Sequence, residues 1–270
     1  MLTAEQGTYV DIADVRTFYV KLGEGPALVL IHSSLPGACA LVDWACNFEY
    51  LAEAGFTVYG FDQPGYGRSS EAPEPSIEYL VAHALGFVNA MELDSYAVMG
   101  ASHGAYVAAR LAVEDARAER LLVVAPGTLA PPGSAAAEAM ARQDVERVRS
   151  YTPSPENAFA VTMHTLYDKA RMTADVIRER YLMSVQQRAE AAAHVEVPSA
   201  TAQKTGARIN VPSLILWGAQ DDRAAVERSL LLLEAIPGAE LHVFDHCGHW
   251  VQWDQADRFN QIVKDFLLRA

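Results

Sequence analysis

Positive charge is in short supply in this chain of 270 residues: 21 lysines and arginines stand against 34 aspartates and glutamates, a formal net charge of −13. A surface of that average sign repels phosphate backbones and anionic bilayers, which disfavours nucleic acid and membrane as partners. Cysteine is scarcer still. Cys39, Cys46 and Cys247 are odd in number and form no CxxC pair, so neither a disulfide framework nor a thiolate zinc site is expected, and a reducing cytoplasm fits. No charge-free apolar run reaches the roughly 18 residues of a membrane span, and Met1 to Asp11 is polar and acidic where an export signal would be apolar. Internal repeats are absent, and Ala135 to Ala141 is too short a biased stretch to carry meaning.

What remains is ordinary globular material, 51% hydrophobic and 20% charged, enough for one large α/β domain or two small ones. Short apolar runs alternate with helical patterns. Thr8 to Ile12 and Arg16 to Lys21 read as a strand pair around an Ala-Asp turn, and Pro26 to Ile31 is a continuous apolar run suited to the centre of a sheet. Thr57 to Phe61, Tyr96 to Met99, Arg120 to Val124, Ser213 to Trp217 and Glu240 to Phe244 supply five further strands. Helical spacing covers Trp44 to Ala54, Ile77 to Met91, the stretches after Ser102 and after Arg223, and Ala256 to Leu268. Such alternation predicts a parallel, doubly wound α/β sheet. From Pro126 to Arg208 the alternation stops and the chain is helical and alanine-rich. This divides it into a core, residues 1–126 and 209–270, and an inserted helical cap, residues 127–208.

Gly100-Ala101-Ser102-His103-Gly104 lies between a strand and an alanine-rich helix, the context of a nucleophile elbow, in which small residues let strand and helix pass closely while a serine hydroxyl stays exposed at the turn. A serine hydroxyl needs a base, and the base needs a carboxylate to orient it. Both stand after later strands: Trp217-Gly218-Ala219-Gln220-Asp221-Asp222 follows one, and Asp245-His246-Cys247-Gly248-His249-Trp250 follows the next. Loops at that sheet edge are where α/β proteins bind ligands. Ser102 is the candidate nucleophile, His249 the base and Asp221 the acid, with Asp222 and His246 as their rivals. His83, His164, His194 and His242 read as surface or satisfied core histidines, and Asp62 and Arg68 as polar groups that stabilise a loop. The developing oxyanion needs N–H donors, which the backbone of His103 and of Ser33 or Ser34 can supply. The motifs require no metal and no organic cofactor.

Taken together, the elbow, His32 with Pro36-Gly37-Ala38 and Trp44, Asp62-x-Pro-Gly-x-Gly-x-Ser69, Trp217-Gly218-x-x-Asp221, and Leu241 to Phe244 with Cys247-Gly248-His249-Trp250-x-Gln252-Trp253 through Phe259-Asn260 resemble the α/β-hydrolase superfamily. Within it they resemble the meta-cleavage product hydrolases, which cleave a carbon-carbon bond in vinylogous 1,5-diketones. The resemblance implies an α/β-hydrolase fold, a mostly parallel eight-stranded sheet flanked by helices with a helical lid insertion. It also implies a small-molecule substrate, a homodimer or higher homo-oligomer, a substrate pocket lined by His32 and Trp250, and Arg180 at the substrate's keto-acid end. A solvated helix arginine is the other reading of Arg180, since Arg178 and Arg188 stand nearby. The chain departs from the family at Ala101, usually Asn, at Ser33 to Leu35, usually glycine-rich, and at Asp43, usually Asn. These departures point to a changed substrate, another polyfunctional ketone, a lactone or a carboxylic ester. Two further classes share the fold, a cofactor-independent dioxygenase and a non-hydrolytic lyase or binding protein.

Overall fold

The computed structural model describes residues 2–73, 76–187 and 199–269; His194 and Arg188 lie outside them. Eight strands form one sheet: β1 (Gly7–Ile12), β2 (Val15–Leu22), β3 (Ala27–Ile31), β4 (Thr57–Phe61), β5 (Tyr96–Ala101), β6 (Ala118–Val124), β7 (Ser213–Gly218) and β8 (Glu240–Phe244). Their spatial order is β1-β2-β4-β3-β5-β6-β7-β8. The β1/β2 and β2/β4 pairs are antiparallel and every later pair is parallel. All eight strands expected from the apolar runs are present.

Alternation along each strand builds the core on both faces. Leu28, Leu30, Met99, Leu122, Val124, Leu214 and Leu216 belong to one apolar layer. Their neighbours Val29, Ile31, Val98, Leu121, Val123 and Ile215 belong to the other. The first layer is closed by α2 (Phe48–Glu53) and α11 (Ala256–Leu267), through Phe48, Leu51, Phe259, Val263 and Phe266. The second is closed by α3 (Ile77–Ala90), α4 (His103–Glu114) and α9 (Glu227–Ala235), through Phe87, Tyr106 and Leu232. Between β6 and β7 the described chain is helical: α5 (Ala135–Arg149), α6 (Pro155–Thr165), α7 (Ala174–Gln186) and α8 (Ser199–Gly206). Serine caps α5 and α6, and Thr173 caps α7.

One helix expectation is corrected. Trp44 to Ala54 reads as a single helix, but the chain forms α1 (Ala40–Asp43), a turn, and α2. The cause lies at the far end of the chain. Asn260 donates to the Cys46 carbonyl at 2.8 Å and accepts from Asn47 Nδ2 at 2.7 Å, so that the Cys46 carbonyl is paired with a side chain in place of a helical N–H. No helix among the described residues is long and apolar enough to cross a membrane.

His83 of α3 is a buried core histidine, with Nε2 2.8 Å from Thr17 Oγ1 and Nδ1 without a hydrogen-bond partner among the described residues. Burial lowers its pKa to about 4 from an unfolded value near 6.5. Between those values the unfolded chain carries the proton and the folded chain does not, so the group's contribution to stability is complete above pH 6.5 and is lost as pH falls toward 4. Urea denaturation at pH 7.5 and pH 4.5 should show a loss on the order of 3 kcal/mol from this site, and His83→Gln should remove that part of the pH dependence.

Candidate active site

Ser102 joins β5 to α4 with φ 52 and ψ −116, a backbone region that a non-glycine residue occupies only when its surroundings impose it. The surroundings do. The Ser102 N–H donates to the Val124 carbonyl of β6 at 2.8 Å, and its own carbonyl accepts from Thr128 Oγ1 at 3.0 Å. A Cβ on Gly100 would stand 2.3 Å from the Gly104 carbonyl, and one on Gly104 would stand 2.3 Å from that of His32. Side chains at either position would force strand, helix and the loop after β3 apart.

Because β3 and β5 to β8 run parallel, the loops that follow them share one edge of the sheet. The loop after β7 carries Asp221 and the loop after β8 carries His249, and these two side chains meet: His249 Nδ1 lies 2.8 Å from Asp221 Oδ2, both buried. The other carboxylate oxygen accepts the N–H groups of Arg223 and Ala224 at 2.9 Å each. With Nδ1–H directed at the carboxylate, the ring's Nε2 is the nitrogen left for proton transfer. Asp222 turns away and pairs with His164 at 3.0 Å, and the exposed His246 pairs with its neighbour Asp245. Geometry thus separates Asp221 and His249 from their rivals.

A family model described as alpha/beta hydrolase fold matches residues 26–256. The chain belongs to the α/β-hydrolase family. It is 30% identical over 268 residues, 94% of this chain and 92% of the relative, to a 2-hydroxy-6-oxononadienedioate/2-hydroxy-6-oxononatrienedioate hydrolase of Pseudomonas putida. It is 28% identical, with 95% and 93% covered, to the 2-hydroxy-6-oxo-6-phenylhexa-2,4-dienoate hydrolase of Comamonas testosteroni. Among solved structures, the meta-cleavage product hydrolase from Pseudomonas fluorescens IP01, complexed with acetates, superposes with a TM-score of 0.84 at 28% identity, 98% of each chain covered. The likeness within the family is therefore to meta-cleavage product hydrolases, and the protein is a hydrolase.

In this hydrolase a second buried group stands beside the His249 loop. Arg180 lies on the face of α7 that also buries Val176, Met183 and Ser184, a helical i, i+4, i+7, i+8 stripe, whereas Arg178 is exposed. Its guanidinium is fully buried and packs 4.5 Å from the centre of the Trp250 ring. Nη1 donates to the Pro36 carbonyl at 3.2 Å, and Nη2 lies 3.8 Å from Asp43 Oδ1, while Nε and Nη2 have no hydrogen-bond partner among the described residues. Desolvation lowers the arginine's pKa to about 10 against the opposing pull of Asp43, which leaves it charged at neutral pH. Close contact fixes the helix to the loop after β3. Gly37 has φ +70, and a Cβ there would stand 2.1 Å from the Arg180 carbonyl.

Two expectations for that loop change. His32 was a candidate to line the pocket, but its Nε2 accepts the Gln63 N–H at 2.9 Å, its Nδ1 lies 2.6 Å from the Ser33 carbonyl, and it is fully buried. Both ring nitrogens brace the loop and neither is left for a ligand. Ser33 donates its N–H to Asp43 Oδ2 at 2.7 Å, so that N–H is committed and cannot also serve an oxyanion. Asp62 does stabilise its loop as expected, accepting from Ala40 N and Arg68 N at 2.8 and 2.9 Å; Arg68 also pairs with Glu179 of α7.

Sequence reasoning missed two residues. Arg223, two positions beyond Asp221, is buried and reaches Asp144 of α5 at 2.8 Å. Asp254, at the end of α10 (Val251–Asp254), is buried and accepts the N–H groups of Gly248, Tyr167 and Asp168 at 2.8 to 2.9 Å, joining the histidine loop to the chain after α6. Only a buried carboxylate next to the motif Trp250-x-Gln252-Trp253 could have signalled it. Asp254→Ala leaves those donors without an acceptor and should cost about 3 kcal/mol or more in urea denaturation, with Asp254→Asn in between; an unchanged midpoint would contradict this role.

Proposed function

We propose that this hydrolase cleaves a carbon-carbon bond in a meta-cleavage-type diketone that carries a carboxylate, with Ser102, His249 and Asp221 as its catalytic triad. The observation that carries the reading is Arg180, a buried cation packed on Trp250, the residue after His249, with two nitrogens that have no hydrogen-bond partner among the described residues. Burying a guanidinium costs several kcal/mol, and a planar carboxylate is the ligand whose geometry repays it. A plain ester or lactone hydrolase needs no such group. The relatives support the reading, because the substrates in their names are 2-hydroxy-6-oxo acids.

In the proposed cycle Arg180 fixes the carboxylate end and Trp250 covers it. His249 takes a proton, from Ser102 or from the substrate's hydroxyl as it ketonises, and Ser102 Oγ attacks the distal ketone. The oxyanion is received by the N–H groups of His103 and Ser34, Ser33 being held by Asp43. Collapse breaks the carbon-carbon bond, His249 returns its proton to the leaving carbon, and water then releases the acyl group by the same relay.

Absorbance assays with a 2-hydroxy-6-oxo-dienoate, a lactone and an aryl ester test this. The dienoate should give the highest kcat/KM, and a higher value for ester or lactone would reject the carbon-carbon reading. Ser102→Ala should lower turnover at least ~10^3-fold. Arg180→Gln should raise KM for the carboxylate substrate about 100-fold while changing hydrolysis of a neutral aryl ester less than about threefold.

A further inference from the structure

The two residues directly after Asp221 are both held by the inserted helices. Asp222 pairs with His164 of α6 at 3.0 Å, and Arg223 Nη2 donates to the two carboxylate oxygens of Asp144 of α5 at 2.8 and 3.1 Å. Only the second pair is withdrawn from water: the Arg223 side chain is 1% exposed and that of Asp144 15%, whereas Asp222 is 53% exposed. Arg223 Nε and Nη1 have no hydrogen-bond partner among the described residues, and Asp144 divides itself between Arg223 and Arg147 of its own helix, which it meets at 3.1 Å. A buried cation so thinly partnered gains less from its pair than its desolvation costs, so stability alone leaves it unexplained.

Its place relative to the relay supplies a reason. The N–H groups of Arg223 and Ala224 fix Asp221 Oδ1 while Oδ2 faces His249 Nδ1, so the backbone of Arg223 holds the acid and its side chain brings a charge close to it. Burial lowers the pKa of Arg223 against the pull of Asp144 and Asp221, and the guanidinium stays charged. A cation near Asp221 offsets part of the negative charge that draws a proton onto the imidazole, and Asp144 in turn offsets part of that cation. Other charged or titratable groups about these loops are Asp222, Arg147 of α5, His164 of α6, Arg180 of α7, and Cys247 and Asp254 beside the histidine.

Resting on the reading of Asp221 and His249 as acid and base, we propose that Arg223 and Asp144 are positioning residues that act through Asp221 with opposite signs: Arg223 makes the relay less ready to take a proton, and Asp144 makes it more ready. The field of a buried charge is screened little by water or salt, so it reaches the relay from α5. A clamp that served structure alone would lose activity with either change and would give the two residues no opposition of sign.

The test is the pH profile of kcat/KM for a neutral aryl ester in the wild type, Arg223→Met, Asp144→Asn and the double variant, because the acid limb of that profile reports protonation of the base in the free enzyme. Arg223→Met keeps the N–H on Asp221 and leaves Asp144 its Arg147 partner; Asp144→Asn keeps an oxygen for Arg223. Arg223→Met should move the acid limb up by about 0.5 to 1 pH unit, because the cation that opposed the imidazolium is gone. Asp144→Asn should move it down by about as much, because that cation is no longer offset, and the double variant should return to within about 0.3 unit of the wild type. Titration of 15N-histidine signals, with those of His249 assigned by His249→Gln, should show the same displacements with no substrate present. Limbs and signals that stay in place, or that move in the same direction in both single variants, would overturn the role of Arg223 and Asp144 while leaving the relay intact. If His249→Gln turned over the ester as fast as the wild type, the relay reading would fall and this one with it.

Discussion

Holding a serine at φ 52 between a strand and a helix is the constraint from which the rest of the site follows. The turn is tight enough that Gly100 lies against the Gly104 carbonyl, and Gly104 in turn against the carbonyls of Ile31 and His32. The loop after β3 is thereby seated directly on the start of α4, and its path is fixed further by Gln63, whose N–H and side-chain amide bond to His32 Nε2 and to the His32 carbonyl. Asp43 then captures the next N–H, that of Ser33, and brings its own carboxylate to face Arg180. Backbone strain at one residue is thus coupled, through a short series of hydrogen bonds and close contacts, to the charge of a helix inserted far along the chain.

The inserted helices do not rest passively on the sheet. Each site loop is bonded to one of them or to its flanking chain: the loop after β3 through Gly37 N to Gln187 at 2.8 Å and Pro36 to Arg180, the acid loop through Arg223 to Asp144, and the histidine loop through Trp250 N to the Thr165 carbonyl at 3.1 Å. The C-terminal motif that carries the family likeness serves this purpose residue by residue. Trp250 stacks on Arg180, Gln252 and Trp253 grip α1, and Asp254 ties the histidine loop to residues 167 and 168. A change in the inserted helices would therefore reach the loops that carry Asp221 and His249.

The parts of this organisation legible in the sequence are those written in local pattern. Strands came through because apolar runs such as Val29 to Ile31 and Leu214 to Trp217 are buried on both faces, and the elbow because its glycines are dictated by backbone contact. Choices settled by single long-range contacts were not legible. Nothing local distinguishes Asp221 from Asp222; the N–H groups of Arg223 and Ala224 capture one and leave the other to His164. His32 looked like a pocket residue because only the fold reveals that Gln63 occupies its ring. The helix from Trp44 onward was broken by Asn260, which no window around Trp44 contains. Arg180 was decided by the stripe it shares with Val176 and Met183, a signal present in the sequence but weaker than the exposed positions around it.

Arg180 and Asp43 also explain why a stability argument fails at the heart of the site. Two charges with no solvent exposure and 3.8 Å between them gain too little from each other to offset their desolvation, and a pair of apolar residues of similar volume would serve the core as well or better. Trp250 adds a cation–π contact worth about 1 to 2 kcal/mol, which reduces the deficit without removing it. The fold tolerates the arrangement because the surrounding loops are already fixed by other bonds, at Ser33, Pro36 and Trp253. That imbalance is what supports the proposed use of Arg180 as the receiver of a substrate carboxylate.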